Sequence, residues 1–74
     1  MVYEALKRML IVRCGCEEED VCMAASLDDL NVFDHERIDL MLALEEMFGV
    51  AAETEDIRGF ETVDDIVSFI EDRL

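Results

Sequence analysis

The residues that could carry out chemistry are few in this chain, and their types favour binding over catalysis. His35 is the only histidine, and no serine or cysteine stands in an arrangement with histidine and aspartate that indicates an activated nucleophile. The three glycines form no phosphate-binding loop. The acidic side chains occur in pairs, which is typical of a solvated face. The sequence therefore predicts a protein that is not an enzyme.

Three cysteines, Cys14, Cys16 and Cys22, raise the possibility of a metal or redox module. Their spacing matches no zinc pattern, and only one histidine is present to complete a ligand set. A free cysteine usually behaves as a small buried apolar residue. We therefore expect no metal site, and a cysteine-based redox or metal module is kept as a weaker alternative.

Composition limits the class of protein and its partners. A chain of 74 residues with 53% hydrophobic content predicts one compact domain over residues 1–74. The net charge of −14 argues against nucleic acid and membrane surfaces as partners, and a basic patch on another protein is its natural complement. The chain contains neither an apolar run of membrane-spanning length nor a secretion-signal pattern. We expect a cytoplasmic protein that is monomeric in isolation.

The first half of the chain is predicted to form one helix followed by a long connection. Residues Val2 to Arg13 place apolar side chains at helical spacing, and Gly15 suits the end of a helix. Residues 16–33 form the connection, with a short helical turn expected at 17–20. Three apolar side chains are expected to attach it to the core: Val21, Leu27 and Leu30.

A second helix is predicted over residues 35–48, with Asp34 as its N-cap. Its two sides differ in character. The core side gathers Leu40, Leu44, Met47 and Phe48, with Met41 and Ala43 at its margins. The other side holds Ile38 and Leu42 in a ring of His35, Asp39, Glu45 and Glu46. Two apolar residues one turn apart inside an acidic rim indicate a docking surface.

The last third of the chain predicts two further helices. Residues 53–58 have room for only a short one before Gly59. Thr62 and Asp65 approximate a capping box that opens the final helix. Its apolar positions are Val63, Ile66, Val67, Ile70 and Leu74. The predicted fold is all-α, a small four-helix bundle with three main helices, one short helix and a long first loop.

Three segments of the chain resemble the acyl carrier protein family. Residues 29–48 (DLNVFDHERIDLMLALEEMF) are similar to its central segment and second helix, and residues 50–70 (VAAETEDIRGFETVDDIVSFI) to its third and closing helices. CGCEEEDV at 14–21 is similar to the family's apolar and acidic segment before the loop. The resemblance covers nearly the whole chain and implies a four-helix bundle, usually with a pocket for an acyl chain. Residues that could line such a pocket are Met9, Met41, Met47 and the leucines.

The family's signature at the start of the second helix is altered in this chain. Counting back from Phe48 by the family's spacing puts the attachment serine on Asp34, with Phe33 where the family has aspartate and His35 where it has leucine. In the family, that serine carries a phosphopantetheine arm, and basic patches of biosynthetic enzymes, such as those of fatty acid or polyketide synthesis, recognise the second helix. The resemblance implies these partner-binding positions: Glu36, Ile38, Asp39, Leu42, Glu45 and Glu46. His35, from the ring around Ile38 and Leu42, is expected to bind partners as well.

A carboxylate at the attachment position changes what the chain is expected to do. An aspartate joined to the arm would form a labile acyl phosphate, so we expect Asp34 to be unmodified and no cofactor to be bound. Asp34 has two readings: a helix cap worth about 1 kcal/mol, or a negative charge that replaces that of the phosphodiester. The alternative function is a genuine carrier with phosphopantetheine on another hydroxyl, such as Ser26 in Ser26-Leu27-Asp28.

Overall fold

The computed structural model describes residues 1–74 and contains four α-helices and one 3-10 turn. The helices are α1 (Val2–Cys14), α2 (Asp34–Phe48), α3 (Thr54–Gly59) and α4 (Val63–Glu71), and the 3-10 turn is Glu18–Asp20. α1 packs against α2 and α4, and α3 packs against α2. The predicted all-α fold with a short third helix is confirmed. None of the helices is long and apolar enough to cross a membrane.

One apolar cluster of 16 buried residues holds the helices together. The helical members are Val2, Leu6, Met9 and Leu10 of α1, Leu40, Met41 and Leu44 of α2, and Val63, Ile66, Val67 and Ile70 of α4. The long connection contributes Val21, Leu27, Leu30 and Val32, so its predicted attachment to the core is confirmed. Burying this many apolar side chains is what stabilises so small a chain.

Two residues predicted for the core are exposed. Met47 is 56% exposed because the buried side of α2 centres on Leu40, Met41 and Leu44, and Met47 falls at its edge. Leu74 is 65% exposed because α4 ends at Glu71, before the apolar series reaches it. Helical periodicity located the core side of each helix correctly, but not the point at which burial stops.

The end of α1 depends on a glycine. Gly15 has φ 73° and ψ 20°, the left-handed conformation that L-residues with a side chain adopt at a cost. This turn lets the backbone N–H groups of Gly15 and Cys16 both donate to the Leu10 carbonyl. The predicted termination of the first helix at Gly15 is confirmed.

The start of α4 carries the predicted capping box. The Thr62 hydroxyl oxygen accepts a hydrogen bond from the Asp65 N–H at 3.2 Å. The Asp65 carboxylate accepts from the N–H groups of Thr62 at 3.1 Å and Glu61 at 2.8 Å. These backbone donors hold the pKa of the Asp65 carboxyl below its ordinary value of 3.8.

The long connection completes the same helix end. The Ala25 carbonyl accepts from the Val63 N–H at 3.0 Å, and the Met23 carbonyl accepts from the Asp64 N–H at 2.9 Å. The Leu27 N–H donates in turn to the Glu61 carbonyl at 2.9 Å. The first N–H groups of α4, which have no partner within the helix, are therefore satisfied by the loop.

Replacing Asp65 with alanine should lower stability in a pH-dependent way. The loss should be below about 1 kcal/mol because the carboxylate is solvent-exposed. A depressed carboxyl pKa contributes stability above its ordinary value of 3.8, and this contribution disappears as the pH falls through the folded pKa. Urea unfolding between pH 7 and pH 3 should show the difference from the natural chain shrinking toward the acid end. Asp64→Ala removes the same charge one residue away, and an equal effect from it would contradict this account.

Candidate functional site

The amino end of α2 differs by one residue from the prediction. The helix begins at Asp34, and Phe33 is the N-cap residue with extended backbone, φ −97° and ψ −175°. The Phe33 N–H donates to the Glu36 carboxylate at 2.9 Å. The prediction of Asp34 as the N-cap is therefore wrong, because the chain turns into the helix one residue earlier. Asp34 lies exposed in the first turn, where the helix dipole favours a negative charge.

The outward face of α2 presents two apolar side chains in an acidic surround. Ile38 is 43% exposed and Leu42 is 60% exposed, one helical turn apart. The surrounding polar residues are Asp34, His35, Asp39 and Glu46, which are exposed, and Glu45, which is half-buried. We call these seven residues the α2 face. Of the predicted partner-binding residues, Glu36 stands apart, since its carboxylate accepts a hydrogen bond from the Phe33 N–H.

A small depression lies between the α2 face and α1. It has a volume of about 70 Å³ and is lined by Arg13, Cys14, Glu36, Asp39 and Leu40. Burial raises the pKa of the Cys14 thiol, and the nearby Cys16, Glu36 and Asp39 raise it further. The thiol is therefore held in its protonated, weakly nucleophilic form, which argues against the redox alternative.

The other cysteines give no support to a thiol-based site. Burial, and then the Asp20 carboxylate, raise the pKa of the Cys16 thiol, whose Sγ donates to the Leu30 carbonyl oxygen at an Sγ–O distance of 3.7 Å. Cys22 is exposed on the connection. No group of three or more histidine, cysteine, aspartate or glutamate side chains is arranged to hold a metal ion.

A second small cleft separates the α2 face from α3. It also has a volume of about 70 Å³, and its lining residues are Asp34, Ile38, Thr54, Ile57 and Arg58. Arg58 is exposed and lies on the α3 side of the acidic surface, while Arg13 lies on the α1 side. The α2 face is thus an acidic strip with one guanidinium on each flank.

Arg37 is the only charged residue in the buried interior, and it is 8% exposed. Its Nε donates to the Val32 carbonyl, its Nη1 to the Phe60 carbonyl and its Nη2 to the Asp28 carboxylate, each at 2.9 Å. The guanidinium therefore joins α2 to the end of the long connection and to the residue that follows α3. Three charge-assisted hydrogen bonds offset the cost of removing this cation from water.

Sequence reasoning missed Arg37, although a signal for it was present. Arg37, Leu40, Met41 and Leu44 follow the i, i+3, i+4, i+7 pattern of the buried side of α2. A cation in a core position requires hydrogen-bond partners. Here Asp28 and Val32 lie in the connection before α2, and Phe60 lies 23 residues further along the chain. The local sequence does not specify those partners.

Ser26, the alternative attachment residue, sits within the contact between the long connection and α4. It is half-buried, pairs with Thr62 in an isolated bridge, and its hydroxyl oxygen accepts from the Asp29 N–H at 3.4 Å. The adjoining Leu27 is fully buried. Its surroundings therefore differ from those of Asp34, which is exposed at a helix start.

Comparison with known proteins identifies the family. The chain is 34% identical over 74 residues to the acyl carrier protein of Coprothermobacter proteolyticus, covering 99% of this chain and 90% of that protein. The acyl carrier proteins of Thermotoga maritima and Petrotoga mobilis are 34% and 31% identical, with 99% of this chain and 91% and 87% of those proteins covered. No protein-family model matches the chain. The chain belongs to the acyl carrier protein family. Members of this family are carriers, which confirms the prediction that the chain is not an enzyme.

Removing the Arg37 guanidinium should destabilise the fold much more than removing its acidic partner. Arg37→Met keeps the apolar stem but leaves the Val32 and Phe60 carbonyls without this donor, and it should cost about 2–4 kcal/mol. Asp28→Ala removes a carboxylate that is 76% exposed and should cost less than about 1 kcal/mol. Chemical denaturation measures both. Equal costs would show that the ion pair, and not the two carbonyl bonds, carries the stabilisation.

Proposed function

We propose that this chain is a carrier-fold docking module that binds biosynthetic enzymes, of fatty acid or polyketide type, without carrying phosphopantetheine. The α2 face carries the proposal: Ile38 and Leu42 are exposed one turn apart within a ring of carboxylates. A face of this kind complements an apolar patch with a basic rim. The chain would then act as a regulator, a decoy or a structural subunit of such enzymes.

The proposal that no arm is attached rests on the identity of residue 34. The count from Phe48 assigns the family's serine position to Asp34, which lies exposed in the first turn of α2 as an attachment residue would have to. A serine hydroxyl gives a stable phosphodiester, whereas a carboxylate would give a mixed anhydride that water cleaves. The side chains present therefore do not suit a covalently held phosphopantetheine.

The charge of Asp34 has a role in this proposal. A phosphodiester and an ionised carboxylate each carry one negative charge, and Asp34 presents its charge at the amino end of the α2 face. An enzyme with a cation placed for the phosphodiester would find a partner in this carboxylate. The helix-cap reading of Asp34 is not supported by its position, since Phe33 is the N-cap residue.

Incubation with a phosphopantetheinyl transferase and coenzyme A should leave the mass of the natural chain unchanged. The Asp34→Ser variant restores a hydroxyl at the same exposed position and should gain the mass of one phosphopantetheine, measured on the intact protein. A gain in the natural chain would overturn the proposal. Repeating the reaction with Ser26→Ala would then show whether the alternative carrier reading is correct.

Docking should depend on the α2 face and not on acidity in general. With a fatty-acid ketosynthase as the probe, Leu42→Ala should weaken binding about tenfold by isothermal titration, the cost of losing one central apolar contact. Asp34→Asn should weaken it several-fold, and the difference should shrink as salt is added because screening reduces the charge contribution.

Two matched variants serve as controls for the docking experiment. Val12→Ala removes an exposed apolar side chain from α1, and Glu71→Gln removes an exposed charge from α4. Neither should change affinity, since neither residue belongs to the α2 face. Losses equal to those of Leu42→Ala and Asp34→Asn would refute a specific docking surface, and an unchanged affinity for Asp34→Asn would refute the charge role of Asp34.

A further inference from the structure

An open groove, which we call the α1–α2 groove, lies between the first two long helices. It has a volume of about 410 Å³ and is lined by Met9, Arg13, Ala43, Glu46 and Met47. Met9 is buried and Ala43 is half-buried, whereas Met47 is mostly exposed. Three of the five lining side chains are therefore apolar, and methionine adapts to the shape of what it contacts. This surface suits an apolar side chain from another molecule.

The α1–α2 groove is continuous with the α2 face. Glu46 belongs to both, and it lies one helical turn after Leu42. The depression that Asp39 of the α2 face lines shares Arg13 with the groove. A partner that covers the α2 face therefore also borders the groove.

Arg13 is the only cation in the lining of the groove and of the adjoining depression. The carboxylates that line them are those of Glu36, Asp39 and Glu46, and Arg13 forms a salt bridge with none of them. Its exposed guanidinium is thus available to a carboxylate on a partner. A uniformly basic segment would be attracted by the α2 face and repelled at Arg13.

We propose that the α1–α2 groove receives an apolar side chain from the basic partner of the α2 face, and that Arg13 binds a carboxylate on the same partner segment. The occupant is an amphipathic helix with a basic rim, an apolar anchor and one acidic residue beside that anchor. The carboxylates of the α2 face select the basic rim, and the single guanidinium sets the direction in which the helix lies. This inference deepens the proposed function, on which it rests in taking the partner to be basic.

Helical peptides of leucine and lysine, with leucine at i, i+3, i+4 and i+7, provide the probe. The all-lysine-rim peptide is the reference, and in a second set a single glutamate replaces each lysine in turn. Titration into the 74-residue chain is followed by methyl NMR, with Met9 and Met47 as the groove signals and Ile38 and Leu42 as the α2-face signals. We expect both pairs of signals to shift. Met23, an exposed methionine on the connection, should keep its shift.

The glutamate series tests the role of Arg13. At one position the glutamate should strengthen binding about threefold over the reference by isothermal titration, the gain expected of an exposed ion pair. Arg13→Gln should abolish this gain. Arg58→Gln is the matched control, because it removes the exposed guanidinium on the other flank of the α2 face, and it should leave the gain intact.

The exposed methionine tests the apolar contact. Met47→Ala should weaken binding of the best peptide about fivefold, because the anchor side chain loses part of its surroundings. Met23→Ala removes a methionine of similar exposure outside the groove and should leave the affinity unchanged. Both side chains lie outside the buried core, so both variants should fold as the natural chain does.

The outcomes separate the groove from the proposed function. Shifts of the α2-face signals without the groove signals would overturn this inference and leave the docking function standing. Shifts of the groove signals alone would support the groove and contradict the α2 face, and unchanged signals in both pairs would overturn both proposals. The role of Arg13 is refuted by a glutamate series without a gain at any position, or by a gain that survives Arg13→Gln.

Discussion

The fold around the amino end of α2 depends on one buried guanidinium. Arg37 joins the last residues of the long connection, the second helix and the residue after α3, with all three of its bonds at 2.9 Å. Two of the acceptors are carbonyls, so the cation is satisfied without a second buried charge. The remaining acceptor, the Asp28 carboxylate, stays in contact with water. This arrangement avoids the desolvation of a fully buried ion pair, while still leaving two carbonyls that would lose their partner if the arginine were absent.

The two sides of α2 differ: the inner side packs in the core, and the outer side carries the proposed docking surface. The inner side supplies Leu40, Met41 and Leu44 to the core, and the outer side leaves Ile38 and Leu42 in water. With a net charge of −14, the chain attracts basic surfaces over a distance, and the exposed apolar pair would provide the short-range contact once a partner arrives. Arg13 and Arg58, on the two flanks, are positive charges in an otherwise acidic region, and in the proposed docking they would limit how far along the surface a basic partner can extend.

Short sequence patterns predicted most of the helices and their ends. Features that depend on contacts between residues far apart in the chain were not predicted. Gly15 and the Thr62–Asp65 capping box are each defined within a few residues, and both appear as expected. The position of Arg37 depends on the Phe60 carbonyl, 23 residues away, and no short pattern reports such a contact. The start of α2 was misjudged by one residue because the backbone cap at Phe33 uses a carboxylate three residues later and not its own side chain. The resemblance to acyl carrier proteins was detectable because several spaced segments of this chain resemble the family, and the relatives confirm that the chain belongs to it.

The carbonyls of Met23 and Ala25 that receive the first N–H groups of α4 have a consequence for how the chain acquires its structure. Helix nucleation is unfavourable, and here part of the first turn is satisfied only by residues nearly forty positions earlier. The carboxyl-terminal helix and the long connection should therefore become ordered in one cooperative event. Local opening of the connection at Met23 or Ala25 would for the same reason also loosen the first turn of α4.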